Sequence, residues 1–151
     1  MEAIARKAGV GVGTLYRHFP KRIDIVEAVY TTDLDELVAT AERAAELEPW
    51  KAVEEFLSAF LRYARTKRTF LAELHEAFDN HPELKLKSME RIDQAADLVV
   101  SRAQRAGVMR DDINGADLMR LMGPMCTNAA LSEDQGTRLL GIILDGLHIT
   151  N

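Results

Sequence analysis

The sequence predicts an all-α protein, and three observations predict it. Apolar residues recur at helical spacing almost throughout, clusters of β-branched residues alternating with period two are absent, and short polar punctuation separates the periodic stretches. At 151 residues, 47% hydrophobic and 28% charged, the chain suits one ordinary domain with a small appendage and is long enough to bury a real core. No apolar run approaches the roughly 18 residues of a membrane span. The N-terminus lacks a basic segment followed by an apolar one, so no secretory signal is expected. The single cysteine, Cys126, leaves no internal disulfide to form, which suits a cytoplasmic protein.

The periodicity places helices over residues 2–8, 12–18, 22–45, 50–66, 69–79, 82–106, 115–130 and 133–148. Pro49 and Pro82 fit first helical turns, where a missing N–H costs nothing, and Gly107 stands where a left-handed C-terminal cap belongs. Asn114 with Asp117, and Ser132 with Gln135, have capping-box spacing, in which each side chain satisfies an orphan N–H of the other residue. The helix over 22–45 carries Val26, Tyr30, Leu34, Leu37 and Ala41 on one stripe and connects the N-terminal end to the rest. Gly123-Pro124 should kink the helix over 115–130 by removing the bond to the Arg120 carbonyl. Between residues 106 and 115 a short polar loop, Val108 to Ile113, is expected.

Charge is unevenly spread. The chain carries a formal −5, yet residues 1–22 hold Arg6, Lys7, Arg17, Lys21 and Arg22 against Glu2 alone, a formal +4 on a body of −9. A short cationic end on an acidic body is what phosphate contact by one small region requires. That end reads MEAIARKAGVGVGTLYRHFPKR, the spacing of two short helices across a tight turn. Ile4, Ala5, Val10 and Leu15 would form its miniature core, with Gly9 taking the positive φ of the turn. The second helix would then enter a DNA major groove with the small residues Gly11, Val12, Gly13 and Thr14 leading. Arg17 is suited to bidentate contact with guanine, and Tyr16, His18, Lys21 and Arg22 to the phosphate backbone.

The stretch IARKAGVGVGTLYRHFPKR resembles the end of the N-terminal domain of TetR-family transcriptional repressors, T-L-Y-x-H-F being its most specific part. The resemblance implies an all-helical homodimer, each subunit with a three-helix DNA-binding domain and a larger C-terminal domain that binds a small inducer. Thr14, Tyr16 and His18 match the family's DNA-contacting positions, and Arg22 keeps the charge where a lysine is usual. RAQRAGVMRDDI and TRLLGIILDGLH look like the C-terminal domains of one subgroup. Domains are accordingly expected over residues 1–30, a helix-turn-helix, and 31–151, a helical bundle for ligand binding and dimerisation. Family members carry a full helix before the segment corresponding to Met1. Without it part of the small core stays uncovered, and ~200 Å² of apolar area left open at ~25 cal/mol per Å² costs about 5 kcal/mol. The alternative expectation is therefore a dimerisation or ligand-binding module that does not hold DNA.

In the body, Trp50, Phe56, Phe60, Tyr63, Phe70, Phe78, Met89, Ile92, Met119, Met122 and Met125 read first as core, and together as walls for an apolar ligand cavity. The candidate ligand residues are Phe56, Phe60, Tyr63, Leu74, His75, Phe78, Met89 and Met122, with Tyr63 and His75 as the polar groups; the ligand is small and apolar or amphipathic. The last helix is apolar nearly all round, so Leu139, Leu140, Ile143 and Leu147, with Met119 of the neighbouring helix, are expected at a two-fold dimer interface. The operator is expected to be palindromic double-stranded DNA. Cys126, in an apolar stretch, reads as a buried inert thiol. HEAFDNH places His75 and Asp79 on one helix face, but it lacks the second histidine of H-E-x-x-H and reads as a solvated helix end. No catalytic triad order, phosphate-cradling loop or dinucleotide fingerprint is present, so neither an enzyme nor a cofactor is expected.

Overall fold

The computed structural model describes residues 1–149. Among them are the eight α-helices α1 (Glu2–Ala8), α2 (Val12–His18), α3 (Arg22–Arg43), α4 (Pro49–Thr69), α5 (Leu71–Asn80), α6 (Pro82–Arg105), α7 (Gly115–Met122) and α8 (Glu133–Leu147). Helices α3, α4 and α6 pack on one another; α5 lies against α3, α7 crosses α6, and α8 covers α4. The core between them is anchored by Phe56, Leu57, Leu74, Leu118 and Met122, each almost wholly buried.

Helix α3 forms where its stripe is read: Val26, Tyr30, Leu34, Leu37 and Ala41 are all buried. At 22 residues it runs about 33 Å without a break through residues 30 and 31. It ends by tightening into a 3-10 turn over Ala44–Glu46. There the Arg102 guanidinium of α6 donates to the carbonyls of Ala44, at 2.9 Å, and Leu47, satisfying acceptors that a helix end leaves open. The other local signals take the form their chemistry demands. Pro49 and Pro82 open α4 and α6. Asn114 and Asp117 exchange backbone-to-side-chain bonds of 2.9 and 3.2 Å at the head of α7. Ser132 accepts from the Gln135 N–H at 3.2 Å, a single cap bond in place of the reciprocal box its spacing predicts.

Two expectations fail. The helix over 115–130 stops at Met122 rather than kinking. A 3-10 turn over Gly123–Cys126 replaces it, since Pro124 has no N–H to give and its ring excludes the carbonyl four residues earlier. The loop after α6 is not simply polar either. Gly107, at φ +71°, turns the chain so that Met109 plunges into the core at 1% exposure. Met109 also forms an isolated antiparallel bridge with His148, bounded by bonds from Arg110 N–H to Leu147 (3.0 Å) and from Ile149 N–H to Val108 (3.1 Å). Trp50 stacks on the His148 ring at 4.1 Å and closes this corner.

The tightest crossing is α6 on α7. The Gly115 N–H donates to the Asp97 carboxylate at 2.7 Å. A Cβ at Gly115 would lie 2.5 Å from both the Asp97 backbone nitrogen and its Oδ1. Gly115→Ala must therefore push α7 away from α6. The expected cost is about 1–3 kcal/mol, the range for overpacked sites. It is read as a lowered urea midpoint with helical circular dichroism retained.

Candidate functional site

Helices α1 and α2 meet across a turn closed by Gly9 at φ +69°. The Val10 N–H reaches back to the Ala5 carbonyl (3.0 Å) and the Gly9 N–H to Arg6 (3.3 Å), the paired bonds of a Schellman cap, which need a left-handed residue at Gly9. The buried residues are Ala5 on α1 and Leu15 on α2. Ile4 and Val10, expected in the miniature core, are instead 40% and 43% exposed, because two helices of seven residues share too narrow a contact to cover them.

The face expected to meet DNA is open. Gly13, Thr14, Tyr16, Arg17 and His18 are exposed on α2, and Lys21 and Arg22 follow at the head of α3. The Lys21 N–H donates to the Asp24 carboxylate at 2.6 Å, fixing where α3 begins. Arg22 is already engaged: its guanidinium lies 2.7 Å from Glu73 of α5, the one ion pair found between the N-terminal 22 residues and the body among the described residues. Sequence spacing holds no sign of this pair, which links positions 51 apart.

Within the body a cavity of about 300 Å³ opens between α4, α6 and α7. Phe60, Tyr63 and Met89, expected ligand residues, line it, and so does Met119, expected at a dimer interface. The remaining expected ligand residues lie elsewhere. Phe56, Leu74 and Met122 are sealed in the core, and Phe78 packs edge-on against Tyr30 at 5.4 Å. His75 is exposed on α5, on the face that the helix period turns away from buried Leu74 and Ala77. His75 and Asp79 lie on that exposed surface, and no group of three metal-ligating side chains gathers among the described residues.

Lys67, Asp93, Arg120 and Thr127 also line the cavity and are not singled out as ligand residues in the sequence, while Cys126, read there as a buried thiol, lines it too. Lys67 had a signal available, since it lies four residues after Tyr63 and seven after Phe60, on the same face of α4. Its ammonium sits 5.8–5.9 Å from the ring centres of Tyr30, Tyr63 and Phe78. Burial holds the Lys67 pKa below its ordinary value and pushes Asp93 up. Burial also raises the Tyr63 phenol, helped by neighbouring Tyr30, and the Cys126 thiol, against the pull of Lys67 and Arg68.

On α8 the structure turns Leu140 and Leu147 inward, so neither presents a surface to a partner. The apolar residues left facing out are Leu139 and Ile142, with Leu121 of α7, while Ile143 is half-buried. No described helix is long and apolar enough to cross a membrane.

A two-helix reader with an exposed polar second helix, joined by one continuous helix to a helical body with a half-open cavity, defines a helix-turn-helix regulator of transcription. Residues 1–29 match the bacterial regulatory proteins of the tetR family, and residues 48–149 match the C-terminal domain of SbtR-like transcriptional regulators. The chain belongs to the TetR family and is a DNA-binding transcriptional regulator. It is similar to a TetR transcriptional regulator from Streptomyces coelicolor, 32% identical with a TM-score of 0.84, over 99% of this chain and 87% of that one. A TetR regulatory protein from Mycobacterium vanbaalenii is 26% identical with a TM-score of 0.63, over 97% and 81%. A ketosteroid transcriptional regulator from Mycobacterium tuberculosis, 17% identical with a TM-score of 0.67 over 97% and 83%, shares the fold. No curated protein matches the chain.

Cys126, 5% exposed and with its thiol pushed up, gives a chemical check on this geometry. A disulfide reagent should label it on the order of tenfold or more slowly in the folded protein than in urea. The folded rate should keep climbing with pH beyond the free-thiol range near ~8.5, because the thiolate is the reacting form.

Proposed function

We propose that this regulator represses transcription as a cytoplasmic homodimer on a palindromic operator and leaves it when a small apolar or amphipathic ligand enters the α4–α6–α7 cavity. The observation that carries this is the open face of α2, where Thr14, Tyr16, Arg17 and His18 are all exposed on a cationic end of an acidic chain. In this reading residues 1–30 hold the DNA and residues 31–151 bind ligand and dimerise. Arg17 contacts a base edge, and Tyr16, His18, Lys21 and Arg22 grip phosphates while Gly13 and Thr14 let the helix approach.

Dimerisation falls to the outward face of α7 and α8. Leu121 of α7 at 57% exposure and, on α8, Ile142 at 67% together with Leu139 are large apolar side chains left to water, and Ile143 is half-buried. Two copies related by a two-fold axis would cover one another there, setting two recognition helices on successive major grooves. The cavity lies beside α7, so a ligand that moves α7 also moves this interface.

Mobility shift with DNA from the regulator's own upstream region tests the reading. Arg17→Ala should weaken binding by about 1–3 kcal/mol and relax sequence preference, whereas Lys21→Ala should weaken all sequences alike and lower the salt slope by about one. Equal affinity for upstream and unrelated DNA would remove the operator reading. Ile142→Arg should convert a dimer in sedimentation to a single chain of 16.9 kDa with helicity kept; an unaltered sedimentation coefficient would place the interface elsewhere.

A further inference from the structure

The cavity wall carries more chemistry than an apolar ligand requires. Its apolar side is Phe60, Met89, Ile92 and Met119, its polar side is Lys67, Asp93, Arg120, Thr127 and Cys126, and Tyr63 also lines it. Arg120 pairs with Asp117 at 3.5 Å, and its charge pulls against the burial that pushes Asp93 up. Lys67 has no carboxylate partner: it makes no ion pair among the described residues, and beyond its burial the Cys126 side chain favours its protonated form while Lys85 opposes it. Three aromatic faces hold the ammonium in place by their negative quadrupoles, yet they accept none of its three N–H donors as a carboxylate would. Tyr63, whose ring centre lies 5.9 Å from that ammonium, has a hydroxyl buried without a hydrogen-bond partner, an arrangement interiors normally avoid.

A second arginine-lined cleft between α4 and α8 shows what a compensated site looks like. There Arg65 is held by Glu133, Arg62 pairs with Glu55 at 3.5 Å, and Arg68 donates to the Met125 carbonyl. Each of its cations already has an oxygen acceptor. In the α4–α6–α7 cavity one cation and one hydroxyl, on the same face of α4, lack theirs.

We propose that this cavity takes a small anionic amphipath, a medium-chain carboxylate in chemical class, with its head on the Lys67 ammonium and Tyr63 hydroxyl and its apolar body along Phe60, Met89, Ile92 and Met119. The inference rests on the reading of the cavity as a ligand site and adds the charge of what enters it. A volume of about 300 Å³ is at the small end of ligand pockets, which favours a chain of several carbons over a fused polycyclic body. An anion there supplies the acceptor that Lys67 and Tyr63 lack and raises the share of Lys67 that is protonated.

Calorimetry on the full chain with octanoate, octanol and octylamine decides it. Octanoate should bind saturably, one per chain, at least about tenfold more tightly than octanol, and octylamine should bind more weakly still. Lys67→Met should bring octanoate and octanol to within about twofold of each other, Lys67→Arg should keep the preference, and Tyr63→Phe should weaken octanoate by about fivefold. Circular dichroism and melting curves establish that each variant folds, and the three-compound comparison on the unaltered protein stands without them. Octanol or octylamine binding as well as octanoate, or a preference that survives Lys67→Met, overturns the anionic assignment and leaves the apolar-ligand reading in place. Absence of saturable binding by all three overturns both.

Discussion

Helix α3 must be covered along one side for its whole length. Its stripe runs from Val26, a turn past the helix-turn-helix, to Ala41, deep in the body. The cover comes from separate elements, since α5, α4 and α6 each pack against it. Helix α3 is thus fixed to the bundle along its length, and the Arg22–Glu73 pair secures its head against α5.

That same packing explains which features were legible in the sequence. The α3 stripe, the Pro49 and Pro82 starts, the Gly9 and Gly107 turns and the Asn114–Asp117 cap all depend on neighbours within a few residues, and each is written in local spacing. The resemblance carried by T-L-Y-R-H-F is equally local. Features that depend on what lies opposite were not legible. Met109 reads as part of a polar loop until His148 comes beside it. Leu139 and Leu140 are identical in sequence terms, yet α4 covers one and leaves the other exposed. Lys67 reads as a solvated charge until Tyr30, from another helix, closes over it.

The body separates its cations by the company they keep. Arg65, Arg91 and Arg110 lie against carboxylates at the surface, where such pairs contribute at most about 1 kcal/mol and mainly keep long side chains in order. Lys67 is withdrawn from water and set among rings. Burying a cation in that way costs free energy that packing elsewhere must offset, and a fold bears such a cost more readily where a binding event recovers it.

The Arg22–Glu73 pair has a consequence in terms of counterions. Protein–DNA affinity falls with salt in proportion to the phosphates whose condensed cations are displaced. An arginine that arrives at a phosphate free of any partner makes a new ion pair. In the proposed complex Arg22 would arrive already paired with a carboxylate 2.7 Å away, so contact with DNA would exchange one anion for another and leave Glu73 facing the duplex. The net positive charge the reader would bring to phosphate is thus smaller than its count of basic residues, and the difference is held by α5.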